Sequence, residues 1–520
     1  MRLPLGILLI FILLGSCARK PIDQSDKDPK DKPLKGLDTS SKSIDPTPFN
    51  GPDSLAMVQT IKSFSEKGNG AFPFGAKPDS LVWQFYAARN FAPLWPNGRW
   101  TQWRGQLVDS IVFDGLISTH YRAQKIDSAF VQLTMAEDTS ANKWAALEVA
   151  ATHYYLEYIK DLYFGKVNPA EVFPSWNYQR RPIPINWIDS LSGVIDTMPL
   201  WAIAKSVRPK MRLYDQFRNE LIRLHNLEGH PNFFAPIPDT TPVLKVGMQH
   251  PSISIIKDHL TFLGYELGAP GDYYDSLLLS AVRLFQKHAG SKPDGIIGKG
   301  TIKALNIDYG DLRAKLKVNM ERVRWLNSDL PDYYILVNIA AYRLFVVNKG
   351  SVEYHCRVVV GKESTQTPVF CDDMKYIEVN PTWTVPRNIA VKEVLPILKK
   401  NPNYLNTHNM ELLRGDVVVD PLTIDFSKYS VNNFPFVIRQ KPGDDNALGR
   451  MKFIFPNPYN VYLHDTPSKS YFEQDVRAFS HGCIRVDQPH LLAYTLLKKQ
   501  GQTAEEFDAI LERGKTDRIH

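Results

Sequence analysis

The chain is poor in cysteine, with four in 520 residues, and none forms the paired Cys-x-x-Cys spacing of a structural zinc site. Its 13 histidines contain no His-Glu-x-x-His pair, so neither a metal centre nor any other cofactor is expected. Basic residues number 62 against 55 acidic ones, a net charge of +7, yet they are scattered rather than clustered with aromatics, which argues against a nucleic-acid partner. The apolar stretch Leu3 to Leu14, which follows Arg2, falls short of the ~20 residues a membrane-crossing helix needs and reads as a secretory signal.

What the chain does have is a dense motif near its end: Phe479, Ser480, His481, Gly482, Cys483, Ile484, Arg485 and Val486, with His464 standing 483 − 464 = 19 residues before the cysteine. A thiol becomes a strong nucleophile only on losing its proton, and an imidazole within hydrogen-bond reach can take it near neutral pH. His464 directly follows the apolar run Val461, Tyr462, Leu463, which reads as a strand whose end holds the ring firmly. Gly482 permits a sharp turn before Cys483, so that the amides of Gly482 and Cys483 can point at an oxygen that turns negative during acyl transfer. His481 adjoins the thiol too closely in sequence for its ring to face it easily, and with Ser480 it is expected to shape the pocket. Arg485 either holds a substrate carboxylate by paired hydrogen bonds or closes a structural salt bridge. A lone cysteine and histidine would be read as core residues, but the joint pattern favours a nucleophile and its base.

His464, Asp465, Thr466 and Pro467 followed by Ser480, His481, Gly482 and Cys483, together with the segments Gly361 to Pro368 and Val379 to Pro386, resemble the YkuD-like catalytic domain of L,D-transpeptidases. Many members of that family carry Asn two residues after the cysteine. Arg485 departs from them and resembles a subgroup of large, multi-domain members. The resemblance implies a cysteine acyltransferase acting on peptidoglycan stem peptides, with Cys483 forming a thioester, His464 as base and the Asp465 carbonyl holding its ring. It leaves open hydrolytic trimming or exchange of the terminal D-residue at the same site. A third reading is a wall-binding lipoprotein without activity.

The expected architecture is multi-domain α+β. Residues 1–17 read as a lipoprotein signal ending in Leu14, Gly15, Ser16 and Cys17, where lipid on Cys17 would anchor the protein to a membrane on the periplasmic side of the envelope. Residues 18–75, rich in Lys, Asp, Ser and Pro, read as a disordered tether. Residues 76–235 read as a helical region, with Leu81, Phe85 and Ala88 and later Leu147, Ala150, Ala151, Tyr154, Tyr155 and Tyr158 at helical spacing, and the segment Phe85, Tyr86 to Pro93, Leu94, Trp95 resembles the scaffold domain of the large L,D-transpeptidases. Residues 236–308 resemble a three-helix peptidoglycan-binding unit inserted in the scaffold, and a helix within 309–330 returns to it. The last region, 331–515, is expected to be a mainly β catalytic domain. One long strand, Ile335 to Val347, should turn at Asn348, Lys349 and Gly350 into Val352 to Val360, and an insertion at about 390–450 should act as a lid. Cys356 and Cys371 could bridge neighbouring strands. Oligomeric state is not legible.

Overall fold

The computed structural model describes residues 51–520 except 68–71, 96–98, 174–175, 179–181, 183, 185, 229–234 and 327–329. The expected signal segment, Cys17 and most of the tether therefore lie outside the described residues. Two units divide the remainder. One is drawn from the chain up to Val172 and between Gln179 and Asp329, the other from Phe173–Tyr178 and Leu330–His520.

The first unit is helical. It corrects the tether expected at 18–75, because Ser54–Lys67 forms a helix whose Met57 and Ile61 are buried and whose Phe64 packs beside them. These three positions recur at i, i+4 and i+7, enough to dock one helical face even though the intervening residues are polar. Ser80–Ala88 starts where the Asp79 carboxylate accepts the amides of Leu81 and Val82 at 3.1 and 3.3 Å. The long helix Ala141–Phe164 supplies much of the core, and Glu148 on it accepts the buried amides of Leu94 and Trp95 at 2.6 and 3.1 Å. A separate small core joins helices Ser252–Phe262, Ser276–His288 and Lys299–Leu305 through Ile253, Leu260, Leu278, Val282, Phe285 and Ile302. Its turn is pinned by Gln286, which donates to the Ile296 carbonyl at 2.9 Å and accepts the Gly295 amide at 2.8 Å. The next helix, Tyr309–Trp325, brings the buried Arg324 to the Tyr214 hydroxyl at 2.9 Å and to the Asp114 carbonyl.

The second unit is built on a sheet of nine strands. They are β1 Tyr333–Asn338, β2 Arg343–Asn348, β3 Ser351–Gly361, β4 Tyr376–Val379, β9 Met451–Ile454, β10 Leu463–His464, β11 Ala478–Ser480, β12 Ile484–Val486 and β13 Asp517–Ile519. The order is β1-β2-β3-β12-β10-β9-β4-β13, with β11 beside β3. The single strand expected from Ile335 to Val347 is two strands. Asn338 accepts the Ala341 amide at 3.0 Å and Tyr342 takes a φ of 52°, so a turn forms without glycine or proline.

Period-two alternation sorts this sheet's faces. Val358, Ile377, Phe453, Leu463, Ile484 and Val486 pack on Leu492, Leu497, Phe507 and Leu511 of helices Pro489–Leu497 and Ala504–Glu512. The alternate residues face the other way, among them Glu378, Lys452, His464, Arg485 and Arg518. The insertion near 390–450 is a module with its own core of Leu398, Leu405, Leu412, Phe434, Phe436 and Ile438. Its strands β5 Trp383–Thr384, β6 Met410–Arg414, β7 Val417–Val419 and β8 Val437–Gln440 pair in the order β5-β8-β6-β7. Cys356 is buried in the main core while Cys371 is exposed, and both are unbridged, so the disulfide considered between them is absent.

Candidate active site

The centre of the site is a crossing of register between β10 and β12. These strands run parallel with Leu463 beside Ile484 and His464 beside Arg485, and the Ile484 amide donates to the Tyr462 carbonyl at 3.0 Å. Side chains two apart share a face, so Tyr462, His464, Cys483 and Arg485 all lie opposite the helix-covered core, with His464 a diagonal neighbour of Cys483. The row continues across the sheet, since His464 pairs with Lys452 of β9, Lys452 with Glu378 of β4, and Glu378 with Arg518 of β13.

His464 is buried, and its Nδ1 lies 2.5 Å from the Asp465 carbonyl oxygen. A carbonyl only accepts, so Nδ1 carries the proton and Nε2 is left as a lone-pair base. Burial, with the nearby Arg485 cation, pushes the ring's pKa down to about 3, which keeps it neutral at physiological pH. The Asp465 carboxylate has a different task. It accepts the amides of Arg450 at 2.9 Å and Thr466 at 2.7 Å and the Lys469 ammonium at 2.6 Å, tying down the loop that presents the carbonyl. Gly449 makes room for it, because a Cβ there would stand 2.3 Å from the Asp465 carboxylate.

The turn before Cys483 is braced by Ser480. Its buried Oγ donates to the Cys483 carbonyl at 2.5 Å and accepts the Gly482 amide at 3.1 Å. Of the two amides expected to serve an oxyanion, the Gly482 N–H donates to Ser480, whereas the Cys483 N–H donates to no group among the described residues. Gly482 has a φ of 118°, a conformation that L side chains rarely adopt. Around this turn folds the segment after β3, where Thr365 donates to the Ser480 carbonyl at 3.0 Å and Thr367 to the Gly482 carbonyl at 2.8 Å. His481 points away to Glu393 of the inserted module, 2.8 Å distant.

Cys483 is partly exposed, and its thiol donates to the Asn460 carbonyl at 3.6 Å. Burial pushes the thiol pKa up, while hydrogen bonding from the backbone and phenol of Tyr462 and the charges of Lys452 and Arg485 pull against that shift. Arg485 makes no ion pair among the described residues. Its Nε is buried without a hydrogen-bond partner and its guanidinium lies 5.7 Å over the Tyr471 ring. Tyr462 and Lys452 were not singled out from sequence, although Tyr462 stands two residues before His464 and period two alone puts it on the same face. A cavity of about 610 Å³ lined by Arg450, Asp465, Lys469, Asp487 and His490 includes neither Cys483 nor His464 in its walls. Among the described residues no cluster of His, Cys, Asp or Glu is arranged to hold a metal ion.

Three family models match successive parts of the chain. Residues 332–500 match the L,D-transpeptidase catalytic domain, 80–221 the scaffold domain, and 249–305 the "Putative peptidoglycan binding domain". The chain thus carries an L,D-transpeptidase catalytic domain together with scaffold and peptidoglycan-binding domains. It is also similar to a Haemophilus influenzae protein titled "Putative L,D-transpeptidase", with 38% identity over 210 residues. That alignment takes in 40% of this chain and 42% of the relative, so it spans less than half the length of either.

Proposed function

We propose that the protein is a peptidoglycan L,D-transpeptidase that cross-links third-position stem residues through a thioester on Cys483. The observation that carries this reading is the shared sheet face of Cys483 and a neutral His464 whose Nδ1–H is held by the Asp465 carbonyl. As Sγ attacks the carbonyl joining the third stem residue to its terminal D-residue, the thiol proton passes to His464 Nε2. The new oxyanion is held by the Cys483 amide, a donor of a kind whose loss costs ~3 kcal/mol. The C–N bond then breaks, Nε2–H returns its proton to the leaving amine, and the D-amino acid departs. In the second half the side-chain amine of another stem peptide gives a proton to Nε2 and attacks the thioester. Sulfur leaves and is reprotonated.

Ser480 keeps the nucleophile's turn rigid, and His481 ties that turn to the inserted module. Arg485, with no carboxylate to pair with among the described residues, holds a carboxylate of the donor peptide. The module from about 390 to 450 caps the substrate path. The helical unit at 236–308 positions the enzyme on the wall, and lipid on Cys17, beyond a tether shorter than first expected, holds it to the membrane facing the periplasm. Incubation with disaccharide tetrapeptide separates the possible outcomes by mass: dimers are expected, and tripeptide monomers alone mean trimming instead. A carbapenem should add to Cys483 and fail to add to Cys483→Ala. If no adduct forms and wall pull-down is indifferent to Cys483→Ala, the non-catalytic reading stands.

A further inference from the structure

Beyond the base and the carboxylate-binding cation, two residues on the active face have no task so far. Tyr462 immediately precedes β10 as Cys483 immediately precedes the paired β12, and its ring lies 5.6 Å from that of His464 in an edge arrangement. Its phenol is near enough to the thiol that each perturbs the other's ionisation, and burial, then the Cys483 charge, raises the phenol's pKa, so the hydroxyl stays protonated and able to donate, while the thiol itself donates to the Asn460 carbonyl. Lys452, half-buried on β9, forms no ion pair among the described residues. Glu378, opposite it in register, bonds Arg518 at 3.2 Å instead. The Lys452 ammonium sits over the Tyr462 ring, 4.2 Å from its centroid.

We infer that the Tyr462 hydroxyl is a catalytic hydrogen-bond donor to the Cys483 sulfur as it becomes anionic, and that Lys452 is a positioning residue acting through Tyr462. This rests on Cys483 being the nucleophile. An ammonium against the π face fixes the ring and draws electron density from it, which makes the phenol O–H a stronger donor. No proton leaves Tyr462. The thiol proton goes to His464 Nε2, and the phenol only solvates the charge left on sulfur and later on the departing thiolate. The charged and titratable groups facing the thiol are His464 from β10, Tyr462 just before that strand, Arg485 from β12, Lys452 from β9 and, one strand further, Glu378 from β4. Tyr471, from the segment Lys469–Glu473, stands against Arg485.

The test is the pH dependence of Cys483 alkylation by iodoacetamide on the full chain, read by mass on the Cys483 peptide so that Cys356 and Cys371 do not interfere. Tyr462→Phe should slow alkylation at pH 7 about tenfold and move the midpoint up by about one pH unit, the scale of one hydrogen bond to an anion. Lys452→Met should shift it the same way by about threefold, and Lys452→Arg should restore it, since both values are fractions of that bond. The double variant Tyr462→Phe/Lys452→Met should be slower than Tyr462→Phe alone by clearly less than threefold, because part of the Lys452 effect runs through the ring and only the remainder through its charge near the sulfur. An unchanged profile in Tyr462→Phe overturns the inference. So do independent, multiplying effects of the two substitutions, or failure of Lys452→Arg to rescue. Wild-type protein that alkylates normally yet makes no acyl product sinks the proposed function, and leaves this measurement on the thiol intact.

Discussion

Arg485→Met separates binding from stability at one position. The ring contact of the Arg485 cation contributes ~0.5–1 kcal/mol, while its partial desolvation costs free energy that no carboxylate among the described residues offsets. Methionine keeps the stem's apolar packing and removes the desolvated charge, so the two changes nearly cancel. The expected change in unfolding free energy is below ~1 kcal/mol, whereas breaking a buried ion pair would cost ~3–5 kcal/mol. Binding behaves differently. Losing a charge-assisted hydrogen bond to the donor's terminal carboxylate removes ~1.5–3 kcal/mol, or about 10- to 100-fold in KM. The assay is steady-state kinetics with a tetrapeptide donor whose C-terminus is free or amidated. The substitution should raise KM for the free acid and leave the amide, already a poor substrate, almost unaffected. A fall in stability of several kcal/mol, or equal effects on both donors, refutes the carboxylate role and returns Arg485 to the structural reading.

Three further outcomes follow from the site's geometry. Ser480→Ala leaves the buried Gly482 amide without an acceptor and should cost ~1–3 kcal/mol in chemical unfolding, with a lower kcat as the turn loosens. Gly449→Ala meets both a φ of 58° and the Asp465 carboxylate, so it should lower Tm and, by displacing the loop that holds His464, lower kcat. His464 has a folded pKa of about 3 against an ordinary value of 6.5, so the unfolded chain takes up the proton first as pH falls. Its contribution to stability is complete above about pH 6.5 and is lost progressively toward pH 3, and urea midpoints of His464→Asn should show a shallower fall than wild type across that window.

The helical units were legible where local rules agree. Asp275 caps Ser276–His288, Gly264 with a φ of 86° follows Ser252–Phe262, and the apolar stripe Leu278, Val282, Phe285 lies on one face of its helix. The misses share a cause, which is that long-range packing decides what local composition obscures. Ser54–Lys67 looks polar until Met57 and Ile61 find a core, and the turn between β1 and β2 rests on an Asn side chain and a tyrosine with positive φ. Strands β6 and β8 are only four or five residues long inside a segment whose asparagines and prolines dominate the reading. In the site, spacing singled out Cys483, His464 and Arg485, but the partners of individual N–H groups are set by side-chain geometry that no spacing encodes. The Gly482 amide is the example. Lys452 was illegible for another reason, because it reaches Tyr462 only through the β9–β10 pairing.

The electrostatics around Cys483 and His464 bear on how the pH profile should look. Burial weakens both members of the pair, making Cys483 a poorer acid and His464 a poorer base, so the resting form is a thiol beside a neutral imidazole. Lys452 and Arg485 favour the sulfur anion but disfavour the imidazolium, and they cannot by themselves move the proton. Transfer must then accompany attack on the carbonyl, where the oxyanion adds the negative charge that the imidazolium needs. A free-enzyme histidine with the ordinary pKa would give kcat/KM an acid limb near pH 6.5. Here the acylation kcat/KM should stay level from about pH 5 to neutrality, measured with a donor whose own groups do not titrate in that range, and rise only where the thiol begins to ionise. An acid limb centred near pH 6.5 that disappears in His464→Gln together with activity would mean that the base rests in water rather than under the strand, and the argument for concerted transfer would fall with it.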